Sequence, residues 1–289
     1  MPHHNAWPAA RRWRRAPIRG KPSLLSKFAE FTATLLGHQG IATIERHAEV
    51  TEAGIVYPLW RITSPGRRRL LITAGFHGNE IAGPLTLAQH LPELCAHARA
   101  RDVGLTIYPC INPSGFAAHT RYNASDELPN NDFLRYELKN GVWVDVLEPG
   151  QPFLRHALFR GGPKETIALR SDLERQPRPD AALDLHQDPY LGEPLTYAYA
   201  FGDRDPFRAL LTASAAHVPV ALSSIVDDGV RTDELGLIAL HDGSITDWLH
   251  RAGVPYTAAL ETTTSTPLPA SHQVNLIWLR GFIDLASAR

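Results

Sequence analysis

The chain has 289 residues, which is enough for one large domain or two small ones. Its composition, with 44% hydrophobic and 20% charged residues, is that of an average globular protein. The formal net charge of −1 gives no electrostatic argument for binding nucleic acid or a membrane surface. No stretch is close to the length of a membrane span, which needs about 18 apolar residues. Two cysteines, Cys95 and Cys110, are too few for a disulfide framework, so we expect reduced thiols in a cytoplasmic protein.

The N-terminal segment differs from the rest of the chain in charge. Its first twenty residues contain five arginines and two tryptophans but no acidic residue. Paired arginines occur in export signals, but here no apolar run follows them. We therefore predict a basic, disordered tail over residues 1–22 and a single folded domain over residues 23–289.

The first half of the folded part alternates between strand and helix patterns. The run at 70–74 is apolar on both faces, as expected of a central strand in a covered sheet. It ends at Gly75, and the next predicted elements are a helix and another strand, which predicts a βαβ unit in a mixed, largely parallel sheet. Helices are predicted over 23–36 and 85–95, and strands over 41–50, 57–63, 70–74 and 103–109.

The second half begins with a segment of different composition. Residues 116–180 are rich in Pro, Gly, Asn and charge, and we expect long loops there that shape a binding cleft. Further strands are predicted over 181–185, 197–201 and 256–260, and helices over 206–217, 244–252 and 273–286. The predicted fold is a three-layer α/β/α sandwich.

Short polar segments directly follow several of the apolar strands. In the first segment, His77 and Glu80 lie three residues apart where a strand leads into a helix, and both are zinc-ligand types. A similar pair, His90 and Glu93, lies within a predicted helix. Because open α/β sheets bind ligands at the carboxyl ends of their strands, we assign the ligand role to the first pair only.

Two later segments complete a candidate zinc site. His186 closes the strand at 181–185 and would be a third ligand, which leaves one position for water. Asp184 points to the same face of that strand and could orient a ligand histidine. Glu261 follows the strand at 256–260 and could act as a general base. Each segment alone is also compatible with a solvated side chain, and cobalt or manganese could fill the same ligand set.

The order of these segments resembles the zinc carboxypeptidase superfamily. This superfamily includes carboxypeptidases, murein-peptide amidases, and the succinylglutamate desuccinylase and aspartoacylase group. The resemblance begins at about residue 70 and consists of His-Gly-Asn-Glu at 77–80, Asn-Pro-Ser-Gly-Phe at 112–116, Asp-Leu-His at 184–186 and Leu-Glu-Thr at 260–262. It implies that His77, Glu80 and His186 bind one zinc ion and that Glu261 is the general base. It also implies that Arg121 stabilises an oxyanion, which suits a guanidinium donor.

The substrate-binding residues are less well matched. The segment at 112–116 resembles the N-P-D-G loop of the superfamily with Ser in place of Asp, and we assign Asn112 to substrate binding. The carboxylate-binding D-x-N-R pattern can be aligned on Asp132 to Arg135, which puts Leu134 in place of Asn, or on Asn130, which loses the acid and the arginine. Because arginine binds carboxylates through two hydrogen bonds, we expect Arg135 to anchor a substrate carboxylate.

The lid region also departs from the superfamily. Digestive carboxypeptidases carry a lid tyrosine before a Gly-Ser-Ile segment, which is matched here at 243–245, but no tyrosine lies between Tyr199 and Tyr256. Charged residues occupy the region instead and would suit a polar or charged substrate, or form a solvated loop: Asp227, Asp228, Arg231, Asp233 and Glu234.

The predicted function is zinc-dependent hydrolysis of an amide bond, by a metallocarboxypeptidase or peptide amidase acting on a small carboxylate-bearing peptide. An N-acyl-amino-acid hydrolase of the desuccinylase and aspartoacylase type is the first alternative. The 28 residues after Glu261 read as one helix rather than the extra β-rich domain of that group, which favours the peptidase-like branch. A non-catalytic metal-binding or peptide-binding domain is the second alternative. A dinucleotide-binding loop is excluded, because Gly75, Gly78 and Gly83 do not have its spacing. The sequence does not specify an oligomeric state.

Overall fold

The computed structural model describes residues 25–288, and the predicted tail over 1–22 lies outside them. Helices within the described range are α1 Leu25–Leu36, α2 Ala82–Ala100, α3 Pro113–Ala118, α4 Lys164–Leu173, α5 Asp205–Ser214, α6 Ile245–Arg251 and α7 Leu268–Ser287. Strands are β1 Thr43–Glu52, β2 Ile55–Thr63, β3 Arg68–Ala74, β4 Val103–Tyr108, β5 Leu134–Leu138, β6 Trp143–Val144, β7 Phe153–Leu158, β8 Ala181–Asp188, β9 Thr196–Phe201, β10 Ile225–Val226, β11 Val230–Arg231, β12 Leu237–Ile238 and β13 Tyr256–Thr263.

A mixed sheet of eight strands forms the centre of the fold, in the order β1-β2-β4-β3-β8-β13-β9-β12. The pairs β4–β3, β3–β8, β8–β13 and β9–β12 are parallel, whereas β1–β2, β2–β4 and β13–β9 are antiparallel. All residues of β8 are buried, because helices cover both faces of the middle of the sheet. The predicted mixed, largely parallel sheet is confirmed.

The two faces of the sheet pack against different helices. Leu70 and Ile72 of β3 belong to the larger core, together with apolar side chains of α1, α2, α5 and α7. Leu71, between them, belongs to a second core with Leu169 of α4 and Leu249 of α6. This alternation along one strand gives the three layers of the predicted sandwich.

The register of the parallel strands determines where the functional residues meet. Ala74 at the end of β3 pairs with Leu185 of β8, and His186 of β8 pairs with Glu261 of β13. The segments that follow β3, and the last residues of β8 and β13, therefore lie at one edge of the sheet. Gly75 turns the chain there with a φ of +70°, a conformation that favours glycine.

The prediction of long loops over 116–180 is only partly correct, because a loop over 119–133 lines the pocket but regular elements follow it. Residues 134–173 contain α4 and a three-stranded antiparallel sheet in the order β6-β5-β7. Leu134 and Tyr136 alternate along β5 and are buried in a small apolar cluster with Leu147. The many Pro, Gly and Asn residues of the segment lie around these short elements, so its average composition concealed the alternation within them.

Cys95 and Cys110 are free and buried. Among residues 25–288, none of the helices combines the length and the apolar character that crossing a bilayer requires.

Candidate metal centre

The structure brings together the three predicted metal ligands. His77 and Glu80 lie between β3 and α2, His186 lies in β8, and the ligand atoms of the three side chains are all within 4.8 Å of one another. One Glu80 oxygen is 2.7 Å from His77 Nδ1, and the other is 2.9 Å from His186 Nδ1. All three side chains are buried. Within the described part of the chain, they are the one group of His, Cys, Asp or Glu that could hold a metal ion.

Backbone contacts hold the loop that carries His77 and Glu80. The Asn112 N–H donates to the Gly75 carbonyl oxygen at 2.8 Å, and the Glu80 N–H donates to the His77 carbonyl at 3.1 Å. Gly78 packs so closely on the start of α3 that a Cβ atom there would lie 1.9 Å from the Gly115 carbonyl carbon. Only a residue without a Cβ atom at position 78 therefore allows the loop to pack this closely against α3.

A second set of hydrogen bonds orients His186. Its Nε2 is 2.8 Å from Asp184 Oδ2, and the Thr73 hydroxyl donates to Asp184 Oδ1 at 2.8 Å. With Nε2 as the donor to this carboxylate, His186 keeps Nδ1 for a metal ion, as carboxylate–histidine–metal arrangements require. The sequence indicated that Asp184 could orient a ligand histidine, and in the structure its carboxylate contacts His186.

The electrostatics of the three ligands suit a bound cation. Burial lowers the pKa of His77 to about 4, so this imidazole is neutral, as a metal ligand must be. Burial alone would lower the pKa of His186, but the carboxylates of Asp184 and Glu80 overcome it and raise the pKa well above its usual range. These carboxylates therefore favour positive charge at the His186 ring, and a divalent metal ion on the two histidines and Glu80 would supply it in place of a proton.

Glu261 and Arg121 lie in the same pocket as the ligands, a cavity of about 80 Å³. Glu261 is 8% exposed, and its Oε2 has no hydrogen-bond partner among the described residues. Burial raises the pKa of Glu261 well above its usual range, and the nearby carboxylates of Glu80 and Asp227 add to this effect. Arg121 Nη1 donates to Glu80 at 2.7 Å, and its guanidinium lies 5.4 Å from the centre of the Tyr190 ring.

Asn112 does not line this pocket, so its predicted contact with substrate is corrected. Its side chain is fully buried, and its Oδ1 accepts from the Gly115 N–H at 2.8 Å as the N-cap of α3. Its Nδ2 donates to the Arg121 carbonyl at 3.4 Å. Asn112 therefore acts on the site through the backbone of Arg121.

Arg135 does not line the pocket either, and its predicted role as a carboxylate anchor is corrected. It lies in β5 of the small sheet, where it forms an ion pair with Asp145 at 2.8 Å and stacks 3.8 Å from the centre of the Phe159 ring. Asn130, the residue of the alternative alignment, is in the pocket wall. The turn before β5 brings Asn130 to the metal side and carries Arg135 away from it.

Other pocket residues were not identified as site residues from the sequence. They are polar side chains contributed by the end of β8, by β9, by the loop before β5, and by α6 with the loop before it: Asn131, Asp188, Tyr199, Asp242, Ser244 and Thr246. The match of Gly-Ser-Ile at 243–245 was the signal that could have pointed to Asp242 and Ser244. Asp227, noted in the sequence as part of a charged region, also lines the pocket.

The chain matches one protein-family model over residues 66–137, that of the succinylglutamate desuccinylase/aspartoacylase catalytic domain. This stretch is about a quarter of the chain, and it contains His77, Glu80 and Arg121. No curated protein matches the chain in sequence.

Solved structures with a similar fold cover nearly all of the chain. A candidate metallopeptidase from Shewanella amazonensis is 26% identical, with a TM-score of 0.67 over 90% of this chain and 92% of its own. A second one, from Shewanella baltica, is 24% identical, with a TM-score of 0.68 over 91% and 92%. A metallo-carboxypeptidase from Burkholderia cenocepacia is 13% identical, with a TM-score of 0.61 over 91% of this chain and 69% of its own. These similarities show that the chain has a metallo-carboxypeptidase-like fold, and together with the family model they support the superfamily predicted from the sequence.

Proposed function

We propose that this protein is a zinc-dependent hydrolase that cleaves an amide bond. The observation that carries the proposal is that the ligand atoms of His77, Glu80 and His186, all within 4.8 Å of one another, share a pocket with Glu261. Two histidines and one glutamate are a donor set of catalytic zinc sites. When bound, zinc polarises a carbonyl group and lowers the pKa of a water molecule.

Glu261 is the proposed general base and acid. It takes a proton from the attacking water and later gives a proton to the leaving nitrogen. The water oxygen forms a bond to the carbonyl carbon, the carbon–nitrogen bond breaks, and a carboxylic acid and an amine are released. Burial raises the pKa of Glu261, which suits a group that must both accept and return a proton.

Arg121 is the proposed donor to the developing oxyanion. Its Nη1 is held by Glu80 at 2.7 Å, whereas its Nε has no hydrogen-bond partner among the described residues. The Arg121 carbonyl accepts from the Gly78 N–H and from Asn112 Nδ2, each at 3.4 Å. These contacts fix the arginine beside the metal ligands, so its free N–H can stabilise negative charge without reorganisation.

A peptide bond or a similar amide is the substrate class that the similarity to metallopeptidase structures supports. Hydrolysis of N-acyl amino acids is the second candidate, supported by the family model that matches residues 66–137. The substrate carboxylate predicted from the sequence is not part of the proposal. Arg135 lies outside the pocket, and Arg121, which is bound to Glu80, is the one cationic side chain other than histidine in the described lining.

The test compares the zinc-loaded wild type with Glu261→Gln on a panel of amides followed by mass spectrometry. The panel contains dipeptides, murein-type γ-glutamyl peptides and N-acyl amino acids. We expect one class to be cleaved by the wild type and its cleavage to fall by about 100-fold or more in the variant, the usual effect of losing a general base. Equal rates in both proteins would contradict the role of Glu261.

The metal site has an internal control in the second His-x-x-Glu pair of the chain. His90 Nδ1 and Glu93 Oε2 are 3.5 Å apart on α2, away from the pocket. We expect His77→Ala to lose bound zinc and His90→Ala to retain it, measured by elemental analysis after dialysis. Retention of zinc by His77→Ala would contradict the assigned site.

A further inference from the structure

A second cavity, here called the far cavity, lies at the edge of the central sheet opposite the metal pocket. It has a volume of about 360 Å³ and is lined by the amino-terminal residues of β3 and β4. The metal ligands follow the carboxyl end of β3, so the length of this strand, roughly 20 Å at about 3.3 Å per residue, separates the two sites. Within the described residues, the two cavities share no part of their linings.

The interior of the far cavity is a continuation of the second core. Its apolar lining comes from β3, from α6, and from the end of α4 with the segment after it: Leu71, Leu173, Pro177, Pro179, Trp248 and Leu249. Small-molecule sites are typically clefts of about 300–1,000 Å³ with such a lining. Since a water-sized group occupies about 30 Å³, the far cavity has room for a ligand of about twelve non-hydrogen atoms.

The charged side chains of the far cavity give it an excess of positive charge. They are Arg69, Glu174 and Arg178. Glu174 is compensated by Arg160, whose Nη1 lies 2.7 Å from its Oε1. The Arg69 guanidinium forms no ion pair or hydrogen bond with the described residues. Arg178 Nη1 donates to the neutral Ala252 carbonyl at 3.2 Å and, in the described part of the chain, has no carboxylate partner.

Backbone hydrogen bonds hold the two arginines on neighbouring segments. The Arg69 N–H donates to Asp180 Oδ2, and the Asp180 N–H donates to the Arg69 carbonyl, each at 2.8 Å. These bonds fasten the segment that carries Arg178, two residues before Asp180, beside the start of β3. The Asp180 carboxylate does not line the cavity and lies 3.6 Å from Arg68 Nη1. A ligand in the far cavity therefore meets two guanidinium groups that lack a carboxylate partner.

An apolar interior beside two such arginines is complementary to an amphipathic anion. A guanidinium binds a carboxylate through two parallel hydrogen bonds, and the apolar walls favour burial of a hydrocarbon chain. The N-terminal segment of the chain is a less suitable occupant. Its first twenty residues contain five arginines and no acidic residue, so the two arginines of the cavity would repel it.

We propose that the far cavity binds a small amphipathic carboxylate. Its hydrocarbon part contacts Leu71, Leu173 and Trp248, and its carboxylate pairs with Arg69 and Arg178. The proposal does not depend on the hydrolase function, because the far cavity contains none of the metal-pocket residues.

The test measures binding to the zinc-loaded full chain by calorimetry. The probes are octanoate, octanamide, octylamine and acetate. Octanoate has ten non-hydrogen atoms, and octanamide has the same size without the charge, so this pair isolates the effect of the carboxylate. Acetate retains the carboxylate without the hydrocarbon chain. We expect octanoate to bind at least about tenfold more tightly than octanamide or octylamine, and acetate to show no saturable binding.

Variants assign this preference to the far cavity. The double variant Arg69→Gln/Arg178→Gln is expected to reduce the tenfold preference for octanoate over octanamide to about twofold or less. Arg67→Gln is the matched control, because Arg67 is an exposed arginine that pairs with Asp102 and does not line the cavity. His77→Ala removes a metal ligand and is expected to keep the preference. Thermal unfolding of each variant verifies that it folds.

Each outcome supports or overturns the proposal. A tenfold preference in the wild type, Arg67→Gln and His77→Ala that is lost in the double arginine variant supports it. Equal binding of octanoate and octanamide, or a preference that persists in the double variant, would overturn it. Loss of the preference in His77→Ala would assign the carboxylate to the metal ion and overturn it as well.

Two further outcomes identify other occupants and would also overturn the proposal. Tighter binding of octylamine than of octanoate would indicate a cationic occupant such as the N-terminal segment. Absence of octanoate binding, together with a dimer in analytical ultracentrifugation, would assign the far cavity to a second copy of the chain.

Discussion

Gly78 allows a direct test of how the metal ligands are positioned. It lies between His77 and Glu80, and a Cβ atom at this residue would be 1.9 Å from the Gly115 carbonyl carbon and 2.3 Å from the Phe116 nitrogen. Ordinary contacts begin at 3.4 Å, so Gly78→Ala must separate the loop from α3 by about 1.5 Å, which is 3.4 minus 1.9. Both contacted atoms belong to the backbone, so no side chain can rotate away to relieve the clash.

The expected cost has two parts. Inserting a methyl group into a packed site typically costs about 1–3 kcal/mol of folding free energy, and backbone contacts on this scale favour the upper end. Metal–ligand distances tolerate only about 0.2 Å of error, so a shift of the loop on this scale separates His77 and Glu80 from His186. We expect zinc to bind at least about tenfold more weakly, equivalent to about 1.4 kcal/mol.

The assay pairs a zinc competition titration against a fluorescent chelator with calorimetric unfolding of the metal-free proteins. Gly192→Ala is the matched control, because a Cβ atom there meets no heavy atom within 4 Å and the residue has no positive φ. We expect Gly192→Ala to match the wild type in both measurements. Wild-type zinc affinity and an unchanged unfolding temperature in Gly78→Ala would refute the assignment of this contact as the positioner of the ligand loop.

Two further predictions concern the second set of contacts around the site and a buried histidine away from it. Asp184→Asn replaces the carboxylate that contacts His186 with an amide, and it is expected to weaken zinc binding by about 10–100-fold in calorimetric titration. Glu234→Gln is the control and should leave zinc affinity unchanged. Equal zinc affinities of Asp184→Asn and the wild type would contradict the orienting role of Asp184. Burial lowers the pKa of His47 from 6.5 to about 4, so below pH 6.5 the unfolded chain takes up a proton that the folded protein does not. The free energy of unfolding should therefore fall by about 3 kcal/mol as the pH drops from 6.5 to 4. Urea unfolding of His47→Phe should not show this decrease. An identical pH dependence of unfolding in the variant and the wild type would refute the assignment to His47.

Much of the metal centre could be predicted from one sequence, because its residues follow apolar strands. His77 comes after β3, His186 lies in the last part of β8, and Glu261 lies in the last part of β13. These three strands are adjacent and parallel, so their carboxyl ends meet at one edge of the sheet. An apolar strand is recognisable from local sequence, and the position of a polar residue at its end follows from the same pattern.

The substrate side of the pocket could not be predicted in this way. The sequence favoured Arg135 because arginine suits a carboxylate, but pairing of β5 with β6 and β7 carries it to Asp145 and Phe159. Asn112 was expected to touch substrate, yet its side chain caps α3. Both side chains have chemically suitable groups, and only their tertiary environment decides which partners they contact.

The sequence by itself therefore determined the largely parallel sheet and predicted which side chains meet as candidate metal ligands beside a candidate base, because hydrophobic periodicity and strand ends are local properties. Only the tertiary structure decided that Asn130, Asp227 and Asp242 meet beside Glu261. More than 90 residues separate Asn130 from the other three along the chain, and loops carry them to the pocket. The direction of a loop side chain depends on long-range packing and on hydrogen bonds such as that between Tyr199 and Asp227, and no local pattern encodes such contacts.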